Sequence, residues 1–269
     1  MQVLVSMIHG APPAYAQQLS MTARASTAVV RNLVCLRCMR TLYIANKNYS
    51  SWSLRPWLLL KQLGIPFDEQ MRPFPNATNG AAPYRTFSPS GRVPCLHDGE
   101  IVVWDSLAIV EYLAEAFPQV WPADRAARAW ARSACAEMHA GFAALRSNCS
   151  MNCGVRVQLR EIGAALAADL DRLSALWSDG LSRWRGPFLA GATFTAVDAF
   201  YAPVAFRIQT YQLPLPDVAL AYAARLRELP AMQQWYRDGL AETARDTAHD
   251  REMASVGEVL QDLRAQAGL

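Results

Sequence analysis

The stretch NKNYSSWSLRPW, residues 46–57, gathers Ser50, Ser51 and Ser53 with Trp52 and Trp57 at a turn between two apolar runs. A helix start leaves backbone N–H groups without intrahelical acceptors, beside the positive end of the helix dipole. Serine hydroxyls there act either as caps or as extra donors to a bound anion. Pro56 has no N–H and belongs in a first helical turn. Its place predicts that regular helical bonding begins near Pro56 and leaves the N–H groups of residues 51–55 free. Ser53 is then the expected cap, with Ser50 and Ser51 as hydroxyls available for chemistry.

Other segments carry comparable signals. In Gly91-Arg92-Val93-Pro94 the proline opens a strand. It is either an ordinary edge-strand proline or a cis bond that offers the Val93 backbone to an extended peptide ligand. In Trp104-Asp105-Ser106-Leu107, a second turn into a helix, Ser106 and free N–H groups suit a carboxylate and Asp105 suits an ammonium group. These are the two charges of an amino-acid head, although Asp105 and Ser106 equally make an N-cap. Thr195-Ala-Val-Asp198 after Phe194 has the spacing of a capping box with a hydrophobic staple, and reads as structural. Cys35-Leu-Arg-Cys38 has the spacing of a redox pair or half a zinc site. It precedes the first predicted strand instead of opening a helix, and Cys149 and Cys153 have a different spacing, so no metal site is expected.

The elements that must position these residues follow from periodicity. Thr41–Ala45 and Phe67–Arg72 read as strands, with a Leu-rich helix between them that closes at Gly64. Val93–His97 and Ile101–Val103 flank a hairpin signal at Asp98-Gly99-Glu100, and Asp105–Phe117 reads as a helix. Beyond Pro122 the period is helical: one long helix over Asp124–Ser147, a second over Ile162–Leu181, a third over Thr195–Tyr211, then shorter ones. The expected organisation is an α/β part over 41–117, a Pro118–Pro122 linker and an all-helical part over 123–269.

Composition narrows the function classes. The 269-residue chain is 52% hydrophobic and 18% charged, ordinary values for a globular protein, and has no apolar run long enough to span a membrane. Its net charge of +3 is local: residues 1–40 hold four arginines and no acid. Removing those four from 26 basic residues leaves 22 against 23 acidic ones, so no basic stripe for nucleic acid is expected. Six cysteines in a chain this long point to free thiols and a reducing compartment. The Arg-bearing, acid-free segment 1–40 reads as a disordered extension, fitting either a transit peptide or a start assigned upstream of Met21 or Met39.

Taken in order and spacing, SSWSLR, RVP, WDSLAI and GATFTAVDAFYAP resemble the glutathione transferase superfamily over about Thr41 to His249. The serine-using, zeta-like bacterial members are the most similar. The resemblance implies an α/β plus all-α fold: a thioredoxin-like N-terminal domain followed by a helical-bundle C-terminal domain, in a cytoplasmic homodimer. It implies glutathione as co-substrate, no metal, and a small hydrophobic electrophile in a detoxification role. Ser50 then falls on the catalytic serine and Ser51 beside it. Arg92, Val93, Pro94, Asp105 and Ser106 fall on the glutathione-binding positions, with Pro94 cis. Asp105 departs from the family's more frequent Glu or Gln. Trp52, Met138, His139, Phe142 and Tyr211 are candidates for the electrophile site, and Tyr49 is a weaker candidate for the thiol. Alternatives are a glutathione-dependent isomerase or dehalogenase, or a non-catalytic binding module on the same scaffold.

Overall fold

The computed structural model describes residues 40–75 and 82–265. Residues 1–39 of the extension, with its two candidate start residues and the Cys35/Cys38 pair, lie outside the described residues, while Arg40 opens the first strand.

The first part is built around β1 (Arg40–Ile44), β2 (Asp68–Met71), β3 (Cys95–Asp98) and β4 (Ile101–Trp104), ordered β2-β1-β3-β4. β1 runs parallel to β2 and antiparallel to β3, with Tyr43 opposite Cys95, and β3 and β4 form the expected hairpin, with Gly99 at φ +61° in its turn. The parallel β1–β2 connection needs a crossover, which α1 (Ser51–Gln62) supplies. α1 is buried almost all round, as its leucine-rich sequence requires. α2 (Ser106–Ala116) follows β4.

Two short 3₁₀ turns, Ala82–Thr86 and Pro118–Val120, complete this part, and the second leads into the helices. The predicted single helix over 124–147 is interrupted. α3 (Arg125–Ala140) ends at Gly141, Phe142 takes the left-handed conformation at φ +56°, and α4 (Ala143–Asn148) restarts the path. A side chain at Gly141 would bring a Cβ within 2.8 Å of the Glu137 carbonyl, so glycine fits that turn. The Arg146 side chain reaches back to the Gly141 and Met138 carbonyls, satisfying acceptors at the end of α3.

The second part is helical, with one addition to the expected bundle. β5 (Val155–Leu159) pairs antiparallel with β6 (Gly257–Asp262). Between them run α5 (Ala164–Trp184), α6 (Ala196–Tyr211), α7 (Asp217–Glu228), α8 (Pro230–Ala241) and α9 (Thr247–Val256). α6 is the central helix, buried on nearly every face, and its apolar sequence AVDAFYAPVAF explains why. The Thr195–Asp198 box does more than cap it. Asp198 accepts from the Thr195 N–H at 3.0 Å, the Leu189 N–H at 2.9 Å and the Tyr222 hydroxyl at 2.8 Å, tying the start of α6 to the preceding loop and to α7.

The two parts share one core, and α1 packs on α6 and α8. The Trp57 ring meets Trp235 edge-on at 5.0 Å. Lys47, one of two lysines in the chain, is buried between the parts and pairs with Glu69 and Asp238, each at 2.7 Å. A buried ammonium is tolerated only with such partners. These contacts fix the turn after β1 against the helices.

Candidate functional site

The turn at residues 46–51 is set by its own backbone: the Asn46 carbonyl accepts from the N–H groups of Tyr49 and Ser50. α1 then begins at Ser51, five residues before Pro56, so the proline lies inside the helix and not in its first turn. This revises the expected roles of the serines. Ser50 is the N-cap, accepting from the Ser53 N–H at 3.4 Å, while its hydroxyl donates to Ser53 Oγ at 2.7 Å. Ser53 is fully buried and accepts from the Ala45 N–H at 3.2 Å, stitching the helix to the end of β1. The Leu54 N–H bonds to the Ser50 carbonyl and the Ser51 N–H to the Tyr49 carbonyl. Among the described residues, the Trp52 N–H and the Ser51 hydroxyl have no hydrogen-bond partner.

Two adjoining cavities open at this turn. The first, of about 470 Å³, is lined by Tyr49, Ser50 and Ser51 together with Arg146, Met151 and Arg207. The second, of about 360 Å³, is lined by Pro94, Asp105, Ser106 and His139. Trp52, Arg92 and Val93 line both. Seven residues expected from sequence, Ser50, Ser51, Arg92, Val93, Pro94, Asp105 and Ser106, thus line two cavities that share three wall residues. The Val93–Pro94 bond is cis.

Asp105 caps α2 through the Leu107 N–H at 2.8 Å and sits at φ +77°, a conformation L residues rarely adopt. Beside it the Ser106 hydroxyl is buried with no partner among the described residues. His139 Nε2 lies 3.5 Å from Asp105 Oδ2. Burial lowers the His139 pKa below the ordinary imidazole value, and Arg55 and Arg146 add to the effect although Asp105 opposes it. The imidazole is neutral at pH 7, so the Asp105 charge stays available to another cation.

Of the five residues considered for the electrophile, Trp52 and His139 line the cavities. The other three pack into the core instead. Met138 occupies the buried face of α3, Phe142 sits at the helix break with its ring edge toward Tyr201, and the Tyr211 hydroxyl donates to the Ser150 carbonyl at 2.8 Å. Helical spacing on an apolar face selects core residues as readily as site residues. Tyr49 lines the first cavity, but its hydroxyl is engaged by Asp250 and Arg264. Burial and the Asp250 charge raise its pKa, so it stays protonated.

Arg146, Arg207 and His249 line the first cavity without having stood out in the sequence. Arg207 had a signal: a single charge within the apolar run VAFRIQ. Arg146 and His249 had none, because a helix break and the returning C-terminal segment bring them here.

A four-stranded mixed sheet with its crossover helix, followed by helices around a buried central one, defines a thioredoxin-like domain joined to a helical domain. Residues 49–116 match the family model for the glutathione S-transferase N-terminal domain, and residues 156–238 match that for the C-terminal domain. Together they cover more than half of the chain, which belongs to the glutathione transferase superfamily. Among curated relatives, the glutathione S-transferase-like protein OpS6 of Beauveria bassiana is 27% identical over 215 residues, covering 72% of this chain and 92% of that protein. Glutathione S-transferase GstB of Escherichia coli is 27% identical over 206 residues, covering 71% and 89%. The theta class glutathione S-transferase of Xanthomonas axonopodis pv. citri, solved with glutathione bound, superposes with a TM-score of 0.54 at 26% identity, covering 74% of this chain and 97% of its own. A Burkholderia glutathione transferase homologue with bound glutathione shares the fold, with a TM-score of 0.55 at 24% identity and coverage of 74% and 97%.

Proposed function

We propose that this chain is a glutathione transferase that holds glutathione across the two cavities and activates its thiol at the serine turn. One observation carries this reading. Ser50 and Ser51 line the first cavity, Asp105 and Ser106 the second, and Arg92 and Val93 are common to both. A tripeptide spanning them meets Asp105 with its ammonium group, the unpartnered Ser106 hydroxyl with its γ-glutamyl carboxylate and the Val93 backbone with its cysteinyl unit. The thiol then rests at the start of α1.

There the chemistry is electrostatic. A free thiol, with a pKa near about 8.5, is mostly protonated at neutral pH. The positive end of α1, the free Trp52 N–H and a hydroxyl donor favour the thiolate. Lowering the pKa by one to two units corresponds to about 1.4–2.8 kcal/mol. Since the Ser50 hydroxyl donates inward to Ser53, Ser51 is the serine free to donate to sulfur. The thiolate attacks the electrophile's carbon, and the leaving group departs with its bonding pair. By family resemblance the protein works as a cytoplasmic homodimer in detoxification.

Calorimetric titration with glutathione and conjugation to a chloronitroarene test the reading together. Glutathione binding with turnover, and loss of binding in Asp105→Ala, are expected. Binding without turnover on any electrophile would leave a non-catalytic module, and no binding would overturn the assignment of the cavities.

A further inference from the structure

The lining of the first cavity carries unusual charge. Arg207 is buried on α6, yet lines the cavity. Its Nε donates to the Cys149 carbonyl at 2.7 Å, and among the described residues its two terminal nitrogens have no acceptor. Arg146 gives Nε to the Gly141 carbonyl and one terminal nitrogen to Met138, and among the described residues its other terminal nitrogen has no acceptor. Arg55 is fully buried, with Nε and one terminal nitrogen unpartnered among the described residues; its guanidinium lies 4.2 Å from the Trp52 ring centre and that of Arg146 4.6 Å from the same ring. Among the described residues no carboxylate forms an ion pair with any of these arginines. Glu252 also lines the cavity and is exposed.

Unpaired buried charge is costly, and a fold keeps it only where something compensates it. Burial and mutual repulsion push Arg207 down to about 10, so it remains charged at pH 7. Guanidinium forks suit planar carboxylates. The rest of the lining, Trp52, Phe74, Pro75 and Met151, suits an apolar or aromatic body.

We propose that the first cavity binds a small aromatic carboxylate, its anionic group held by Arg146 and Arg207 and its ring against Trp52. The role of this ligand as the electrophile rests on the transferase reading; its binding does not. The arginine pair would select the substrate class, and the serine turn would present the thiolate to the ring.

Calorimetric titration of the full chain with a chloronitrobenzoate and the matching chloronitrobenzamide tests this directly, with and without S-methylglutathione, which has no thiol to react. The benzoate should bind roughly tenfold tighter or more than the amide. That preference should collapse in Arg146→Gln and Arg207→Gln while S-methylglutathione affinity holds. Arg207→Lys, which keeps a charge at the buried position, should retain part of the preference and serves if Arg207→Gln does not fold. Equal affinity for benzoate and amide in the wild type would overturn the proposal. So would variants that lose S-methylglutathione but keep the preference, because the arginines would then serve glutathione itself. A retained benzoate preference with no S-methylglutathione binding would support the anion subsite and remove the transferase reading.

Discussion

Arg264 donates to the Tyr49 hydroxyl at 2.9 Å, joining the C-terminal segment to the residue immediately before the serine turn. The same guanidinium pairs with Asp250 at 2.6 Å and Asp262 at 2.7 Å. From α9, His249 and Glu252 line the first cavity, and His249 stacks on Tyr49 at 5.2 Å.

Arg264→Ala should lower unfolding stability by about 2 kcal/mol, because Arg264 is buried while its carboxylate partners are partly solvated. Urea unfolding checks it, and a loss within error would mean that the clasp is a surface contact.

Ser53→Ala should cost about 1–2 kcal/mol, since it orphans the buried Ala45 N–H and removes the acceptor of the Ser50 hydroxyl. The loss should appear in chemical denaturation. An unchanged midpoint would show that the stitch between β1 and α1 contributes nothing.

Burial raises the Asp198 pKa from 3.8 to about 6 despite hydrogen bonds that oppose the shift. A carboxyl whose folded pKa lies above its unfolded one stabilises the fold fully below pH ~4 and loses that contribution as pH rises through about 6. The stability of wild type relative to Asp198→Asn should therefore fall by roughly 2–3 kcal/mol between pH ~4 and ~7. A relative stability that grows over that range would mean that the hydrogen bonds, not burial, set this pKa.

His139 is neutral at pH 7 and leaves Asp105 free to meet an ammonium group. Acidification below the ordinary imidazole range should protonate it, engage Asp105 and weaken glutathione several-fold. His139→Gln should flatten that dependence. Parallel pH profiles in both proteins would remove His139 from the account.

Much of the fold was legible because its signals are local. The strand–helix–strand order, the DGE hairpin and the apolar run of α6 each lie within one short window. The interruption at Gly141-Phe142 was not, because alanines on both sides continue the helical period and the break lies in the extended backbone of Gly141 and the left-handed Phe142. β5 was missed although VRVQL alternates, since its partner β6 lies about a hundred residues away and neither strand forms alone. At the candidate site the serine, RVP and WDS motifs carried their own turn chemistry. That Ser50 takes the cap while Ser53 is drawn inward could not be read, because it depends on the distance from Ser53 to the end of β1. The arginine wall depends on three helices, α1, α4 and α6, meeting, which no local pattern encodes.

The central claim is that the serine turn ionises a bound thiol. Titrating the thiolate absorbance of bound glutathione against pH in wild type and Ser51→Ala tests it most directly. The wild-type thiol pKa should lie about one to two units below that of free glutathione and rise by about one unit in Ser51→Ala as a hydroxyl donor is lost. An unchanged pKa in Ser51→Ala with a large rise in Ser50→Ala would move the role to the capping serine. A wild-type thiol pKa equal to that of free glutathione would contradict the claim outright.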